Sequence, residues 1–361
     1  MIAVLVFLSS TVASADRIVL RNLKIISDRT VVSFDVDGVK LDDGSTLSWD
    51  EIERCKVDDA KQADFDGLLK ELGEPLYRIN QRLKVGDYEG LLEHAEAVYP
   101  RYASRESPTA YMVTQALMWG RLAEGKREAA VEPYLRAYEY LRATRSSGGT
   151  LPGDRRLQFD VESALSPTLQ PVWFDAEAAK ASLPSVFATV REMKRPLPEG
   201  VYIYYATMAS AAGDAKTAQS FLKHVKGEQQ LAAQWRDIAK AQLEVLAGKP
   251  ASAMSTLQSS LPRMSLQTKP AAIYWLGMSK IKAENKSDRL EGVLKLIQLP
   301  AIYGKSNPEL AGAGLYQAML ALDKLDDATG SIALRKELMI RYAHTVHAAK
   351  VKSEIETRSS E

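Results

Sequence analysis

The sequence is poor in the residues that build metal centres and covalent crosslinks. It has one cysteine, Cys55, and four histidines among 361 residues. A single cysteine excludes an intramolecular disulfide and a metal-thiolate cluster. His344 and His347 have the spacing that places two side chains on one helix face, but two imidazoles without a third ligand make a poor zinc site. We therefore interpret this pair as part of a solvated helix end, and the sequence predicts neither a metal nor another cofactor.

An excess of charge of either sign is also missing. Lys and Arg together number 47 and Asp and Glu number 46, for a formal net charge of +1. This balance argues against a strong attraction to nucleic acid or to an anionic membrane. No apolar stretch approaches the roughly 20 residues that a membrane-spanning helix needs. We therefore expect no nucleic-acid partner and no transmembrane segment.

Motifs typical of catalysis are lacking as well. Neither Gly-x-Ser-x-Gly nor His-Glu-x-x-His occurs. Gly304-Lys305-Ser306 resembles the end of a phosphate-binding loop, but Leu299 stands where that loop requires its earlier glycine. Asp35-Val36-Asp37-Gly38 is a poor calcium loop, because Ser33 and Gly44 occupy the first and last ligand positions. The sequence therefore predicts a protein that is not an enzyme.

A short apolar run opens the chain. Residues 1–10 read MIAVLVFLSS, and Ala13-Ser14-Ala15 supplies the small residues that a signal peptidase reads. We expect residues 1–15 to be a signal peptide that is removed before Asp16, so that the protein is exported and is periplasmic or secreted. The run lacks a preceding Lys or Arg, which a start codon assigned too far downstream would explain. The structural alternative is a buried strand or a short N-terminal helix.

Residues 16–58 have the pattern of a small β module. Apolar and polar side chains alternate from Thr30 to Val36, as in a strand with one buried face. The pairs Asp37-Gly38 and Asp43-Gly44 are typical of tight hairpin turns. A module of this size buries little surface by itself. We expect it to dock on the first helices.

Residues 63–361 have the apolar spacing of helices, with a period of about 3.6 residues. Ala, Leu, Glu, Lys and Gln dominate, and all are good helix formers. Glycines recur at the points where one predicted helix ends and the next begins, at Gly86, Gly125, Gly213 and Gly248.

The clearest repeated unit is Tyr111–Tyr140. It contains an apolar helix, the turn Glu124-Gly125-Lys126, and a second helix that carries Ala130, Tyr134 and Ala137. These three residues match the second-helix signature of tetratricopeptide repeats in type and spacing. The unit therefore resembles a repeat of that family.

The resemblance implies a mostly α protein, an α-α superhelix of the tetratricopeptide type, preceded by the small all-β module. Met118 departs from the family pattern, which prefers Gly or Ala at that position. An irregular loop at about residues 145–173 interrupts the repeats. Other αα-solenoids, such as Sel1-like arrays, are the nearest structural alternatives.

Large aromatic residues on the first helices are the candidate binding residues. In the family, the corresponding positions line an inner groove that holds extended peptides or partner helices. The alternative is that these side chains fill gaps between neighbouring repeats. The four candidates are Trp119, Trp235, Tyr274 and Tyr316.

We therefore expect a non-enzymatic binding or scaffolding protein of the cell envelope, which holds a protein or peptide partner in a helical-repeat groove. Two alternatives stay open. One is an envelope-polymer hydrolase with its site near residues 145–173, where Asp154, Asp160 and Glu162 lie. The other is a purely architectural subunit of a large assembly.

Overall fold

The computed structural model describes residues 16–144, 151–153 and 155–360. The expected signal peptide lies outside the described residues. The chain divides into two compact units, of which the first comprises residues 1–120 and 150–155 and the second residues 121–149 and 156–361. The prediction of a mostly helical protein with a small N-terminal β module is confirmed.

Two antiparallel sheets of three strands each form the β module. Their strands are β1 (Asp16–Leu20), β2 (Ile25–Arg29), β3 (Val31–Asp35), β4 (Gly38–Leu41), β5 (Thr46–Leu47) and β6 (Ile52–Lys56). The sheet orders are β2-β1-β6 and β3-β4-β5. Asp37 lies between β3 and β4, with Gly38 as the first residue of β4, and Asp43-Gly44 lies between β4 and β5, as the hairpin pattern predicts.

The helices that follow the module give it a core. They are α1 (Asp59–Leu68), α2 (Glu74–Val85), α3 (Leu92–Tyr102) and α4 (Pro108–Ala123), and the division between the two units falls within α4. Trp49, which is fully buried, lies 5.1 Å from the Phe65 ring of α1 and 6.3 Å from the Phe34 ring of β3, between ring centroids. The Tyr102 hydroxyl of α3 donates a hydrogen bond to the Val36 carbonyl at 2.7 Å. The small sheets therefore share their apolar interior with the first helices.

Helices α5 to α15 make up the rest of the described chain. Their bounds are α5 (Val131–Thr144), α6 (Ala176–Glu192), α7 (Glu199–Ala211), α8 (Ala215–Leu222), α9 (Gln230–Leu246), α10 (Pro250–Ser260), α11 (Lys269–Ile281), α12 (Lys286–Tyr303), α13 (Pro308–Asp323), α14 (Ala328–Arg341) and α15 (Val346–Ser360). Neighbours in sequence pack on one another, α7 with α8, α9 with α10, α11 with α12, and α13 with α14. None of the helices in the described part of the chain combines the length and the apolar character needed to cross a bilayer.

Left-handed residues and small side chains set the geometry of these pairs. Gly213 and Gly248 end α7 and α9 with φ angles of 84° and 74°, a conformation that costs glycine little. Asp326 takes the equivalent position after α13, with φ at 62°. A Cβ added to Gly277 of α11 would lie 2.7 Å from the Leu296 side chain of α12, so the two helices approach closely because this residue has no side chain.

Between α5 and α6 the described residues form neither helix nor strand. Buried side chains nevertheless hold residues 156–175 against the second unit's helices. The Tyr134 hydroxyl donates to the Ala164 carbonyl at 2.6 Å, and the Tyr204 hydroxyl donates to the Leu169 carbonyl at 2.6 Å. Residues 156–175 are thus irregular in backbone and are anchored at these two carbonyls.

Candidate functional site

A small pocket opens where the irregular segment meets the start of α13, all within the second unit. Its volume is about 240 Å³. Arg127, Phe174 and Glu309 contribute its two charges and its aromatic wall. We name this cavity the Arg127–Glu309 pocket.

Each of these three residues lies at or just before the start of a helix. Arg127 lies in the turn that leads into α5, and Glu309 lies in the first turn of α13 directly after Pro308 at the helix start. Phe174 precedes Asp175, whose side chain caps α6 by accepting the Ala178 N–H at 2.9 Å. The pocket is therefore framed by the starts of three helices.

The Arg127 guanidinium is incompletely satisfied. One terminal nitrogen donates to the Gln170 carbonyl at 3.2 Å, whereas the buried Nε finds no hydrogen-bond partner. Burial lowers the pKa of Arg127, and the nearby Glu309 and Glu128 carboxyls offset part of that effect. A donor with a positive charge is thus available in the pocket.

Two carboxyl groups lie near this arginine, and they differ in how their oxygens are hydrogen-bonded. Glu128, which is 4% exposed, accepts the backbone N–H groups of Phe174 and Asp175 at 3.2 and 3.4 Å and so fixes the segment. Glu309 has one buried oxygen, Oε2, without a hydrogen-bond partner. Burial raises the pKa of both carboxyls, and the Arg127 charge counteracts the rise. Glu309 therefore offers an acceptor beside the arginine donor.

An aromatic cluster continues from the pocket wall. The Phe174 ring lies 5.0 Å from the His347 ring and 5.9 Å from the Tyr274 ring, between centroids. His347 in turn lies 5.2 Å from Tyr316. We name these four residues the Phe174–His347 cluster.

His347 is buried in this cluster, so the expectation of a solvated helix end is wrong for this residue. Burial, together with the nearby Lys350 charge, lowers the pKa of His347 to about 4. The imidazole is therefore neutral near pH 7, and its Nδ1 has no hydrogen-bond partner. His344 is exposed, as expected.

The structure brings two of the four sequence-predicted binding residues together. Tyr274 of α11 and Tyr316 of α13 both belong to the Phe174–His347 cluster, and each is 5% exposed. The Tyr316 hydroxyl donates to the Glu354 carboxylate of α15 at 3.2 Å. Most of both rings is covered by the chain itself.

The two tryptophans are also buried, each in a different place. Trp235 of α9 has no exposed surface. Trp119, 3% exposed, lies in the first unit, where the Arg155 guanidinium stands 3.6 Å above its ring and the Tyr88 ring is 6.2 Å away. The Nε1 atoms of both tryptophans lack a hydrogen-bond partner. All four predicted binding residues are thus largely buried, and their role in binding a partner stays a prediction.

The acids proposed for a hydrolase do not form one group in the described chain. The Asp160 carboxylate accepts both the N–H and the hydroxyl of Ser163, at 2.8 and 2.6 Å, and so serves a local turn. Glu162 is exposed, and Asp154 lies outside the described residues. Within the described ranges, no three or more His, Cys, Asp or Glu side chains are arranged to hold a metal ion.

Sequence reasoning did not identify Arg127, Phe174 or Glu309. The local signals, a helix-starting proline at Pro308 and a helix-capping aspartate at Asp175, indicate where helices begin and say nothing about which starts meet. Comparison of the chain with known protein families, with curated proteins and with solved structures gave no match, so the pocket has to be interpreted from its own chemistry.

Proposed function

We propose that this chain is a non-enzymatic, exported protein that binds the end of a protein or peptide partner. Its helix pairs would form an α-α superhelix of the tetratricopeptide type and serve as a scaffold. The observation that carries the proposal is the Arg127–Glu309 pocket, in which a buried donor and a buried acceptor both lack partners. Unsatisfied buried polar atoms cost about 1–3 kcal/mol each, so a ligand that pairs with them gains binding energy.

The size of the pocket favours one terminal residue over a whole small molecule. Pockets for drug-sized ligands occupy about 300–1,000 Å³, and this one occupies about 240 Å³. Val172, Phe174 and Leu310 supply apolar lining. A single apolar side chain with its backbone fits such a space.

The paired charges favour a peptide C-terminus. A terminal carboxylate would pair with Arg127, in a charge-assisted hydrogen bond stronger than a neutral one. The amide N–H of the same residue would donate to Glu309. A C-terminal residue is a common chemical unit that presents both groups side by side.

Binding of labelled peptides tests this proposal. The probes are short neutral peptides that carry a fluorophore at the N-terminus and differ only in their final residue, each made with a free and with an amidated C-terminus. We expect purified mature protein to bind a free-carboxylate probe with an apolar final residue, and to bind its amidated twin at least about tenfold more weakly, since one charge-assisted hydrogen bond contributes about 1.5–3 kcal/mol. Fluorescence anisotropy measures both affinities.

Arg127→Met separates the pocket from other surfaces. This change keeps much of the side-chain length and removes the guanidinium, so the preference for a free carboxylate should disappear. Arg191→Met, at an exposed position of α6, is the matched control and should bind as the unmodified protein does. If every free-carboxylate probe fails to bind, or Arg127→Met binds them unchanged, the proposed site is wrong.

Export is tested separately from binding. We propose cleavage after Ala15, because the apolar run and the small residues Ala13 and Ala15 match a signal peptidase site. Mass spectrometry of the protein from its native cells should find Asp16 at the mature N-terminus. A mature pool that retains Met1 would contradict this.

An architectural role is the second candidate, and exposed apolar side chains on α12 and α14 favour it. Leu294 and Ile302 are 57% and 65% exposed, and Ile332 and Ile340 are 62% and 67% exposed. Light scattering of the purified protein tests this candidate. A concentration-dependent oligomer that Ile332→Lys and Ile340→Lys abolish would support it, and a monomer at all concentrations would argue against self-assembly.

A further inference from the structure

A second and larger cleft in the second unit is bounded by α8, α9 and the start of α10. Its volume is about 870 Å³. One carboxylate, Glu244, lines it. Five cationic side chains line it as well, from Lys216, Lys223, Arg236, Lys240 and Lys249. We name it the α8–α10 cleft.

Most of these positive charges have no counter-charge in contact. Lys223, Lys240 and Lys249 are exposed, and among the described residues none of the three forms an ion pair within 4.0 Å. Arg236 differs, since it donates to the Lys226 carbonyl and lies 3.6 Å from Asp237. Like charges held around one cleft repel each other, so an anionic ligand would relieve a cost already present in the folded chain.

The floor of the cleft is apolar. Leu222 and Val225 are buried there, and Leu243 is partly exposed. The Glu244 Oε1 accepts the Ser252 hydroxyl at 2.8 Å, whereas its buried Oε2 has no hydrogen-bond partner. The cleft therefore combines an apolar base with a rim of lysines.

The cleft of the first unit provides a contrast within the same chain. It has a volume of about 680 Å³ and contains two cations, Arg21 and Lys84, with two acids, Asp50 and Glu51. Its charges balance, and the Asn80 amide donates to Asp50 at 2.9 Å. The charge imbalance of the α8–α10 cleft is therefore not shared by the cleft of the first unit.

We infer that the α8–α10 cleft binds an acidic segment of a protein partner, with Asp or Glu side chains against the lysines and apolar side chains on the floor. This inference rests on the proposed protein-binding function and names the class of partner. Apolar anchors in a groove with charges at the rim are a recurring mode of peptide recognition. The rim charges would act mainly on the association rate and on partner choice.

Two other anionic partners fit the cleft less well. Single-stranded nucleic acid is commonly held by aromatic side chains that stack on bases, and none of the described residues that line the cleft is aromatic. An anionic membrane is flat, whereas the apolar residues here lie at the base of a concavity. An acidic peptide segment can enter the cleft and reach them.

The probe is a labelled helical peptide built from glutamate and leucine, compared with a twin in which every glutamate is glutamine. Lys223→Glu combined with Lys240→Glu reverses two charges at the rim. Lys180→Glu combined with Lys286→Glu makes the same net change at exposed positions outside the cleft and serves as the control. All four lysines are exposed, and circular dichroism checks that both proteins fold.

We expect the unmodified protein to bind the glutamate peptide, with an affinity that falls as salt rises, because exposed charges are screened over about 10 Å at 0.1 M ionic strength. The cleft variant should bind at least about tenfold more weakly, whereas the control variant should stay within about twofold. The inference is overturned if the unmodified protein does not bind the peptide. Equal binding of the glutamine twin, or equal losses in the two variants, would overturn it as well.

Vesicles of phosphatidylglycerol test the remaining alternative, an anionic membrane. If the protein binds these vesicles through the cleft lysines and ignores the peptide, the cleft is a membrane surface and the inference is wrong. The free-carboxylate probe of the Arg127–Glu309 pocket distinguishes the two hypotheses, since the cleft variant should bind it normally. Failure of that probe alone would remove the pocket and leave the acidic-segment inference standing.

Discussion

The core of the β module and the Arg127–Glu309 pocket both bury large side chains, and they differ in how their polar atoms are satisfied. In the module, the Trp49 indole N–H donates to the Asp35 carbonyl at 2.7 Å, and the Tyr102 hydroxyl also finds a carbonyl. In the pocket, the Arg127 Nε and the Glu309 Oε2 are buried and find nothing. The two aromatic donors of the module core are therefore paired, whereas these two polar atoms of the pocket are not.

This difference separates architecture from a candidate site. Nearly all buried polar groups in proteins are hydrogen-bonded, so an exception needs an explanation. When a donor and an acceptor without partners line the same pocket, a ligand that supplies both groups would satisfy them. The comparison predicts that changes in the module mainly lower stability and that changes in the pocket mainly lower binding.

The largest loss of stability is expected from Trp49→Ala. Truncation of a buried tryptophan leaves a cavity and costs about 3–5 kcal/mol of unfolding free energy. Urea unfolding followed by circular dichroism measures the loss. Trp49→Phe is the matched control, since it keeps an aromatic ring, and it should cost less. An unchanged transition for Trp49→Ala would show that the module does not depend on this ring.

The next largest effect is expected from the pH dependence of His347. Its pKa in the folded protein is about 4, below the ordinary 6.5. As pH falls from 6.5 towards 4, the unfolded chain gains a proton that the folded protein does not accept, so stability falls by at most about 3 kcal/mol. Above pH 6.5 this contribution is constant. Thermal unfolding at a series of pH values measures the trend.

His347→Phe should flatten this part of the profile. The exposed His344→Gln is the control and should follow the unmodified protein. The difference between profiles isolates the imidazole, because Glu128 and Glu309, whose pKa values burial raises, titrate in all three proteins. If the His347→Phe and unmodified profiles stay parallel between pH 4 and 6.5, His347 is not buried in solution as it is in the structure.

A smaller effect is expected where α8 packs in its helix pair. Ala218 is fully buried there, and Ala218→Leu should overpack the contact and cost about 1–3 kcal/mol. Ala251→Leu, at an exposed position of α10, should change stability little. Equal denaturation midpoints for the two variants would mean that the α8 contact tolerates bulk.

The smallest change in stability is expected from Glu309→Gln in the pocket. The substitution keeps the shape of the side chain, but it removes a buried carboxyl whose charge offsets the burial of Arg127, so we expect a loss of roughly 1 kcal/mol. Binding of the free-carboxylate peptide should weaken, because the acceptor for its amide N–H loses charge. If Glu309→Gln lowers the free energy of unfolding strongly and leaves peptide binding unchanged, the pocket contributes to stability and not to binding, contrary to this comparison.

Much of the fold could be predicted because it depends on local patterns. The change of apolar period near residue 63 separates strands from helices, and the Asp-Gly pairs mark the hairpins. Gly213 and Gly248 end helices because glycine adopts positive φ at low cost. The candidate site could not be predicted in the same way, since no spacing rule relates a residue before α5 to one at the start of α13.

The aromatic residues show the same limit of prediction from local sequence patterns. The sequence indicates that Tyr274 and Tyr316 lie on helices, but their common contact with Phe174 and His347 arises from how α11, α13, α15 and the irregular segment pack. The burial of His347 follows from that packing, and the helix-face spacing of His344 and His347 alone predicts a solvated pair. Hydrophobic periodicity reports which face of a helix is apolar, and it does not report which neighbour covers that face.

By itself, the sequence determined the helical class, the position of the β module and most turns, because period, turn residues and propensity act over a few neighbouring residues. Only the tertiary structure placed Arg127, Phe174 and Glu309 around one pocket and collected lysines along the α8–α10 cleft. The pocket joins residues far apart in the chain, and the cleft joins residues of three successive helices. Which helices meet is determined by how the whole unit packs when its apolar faces are buried.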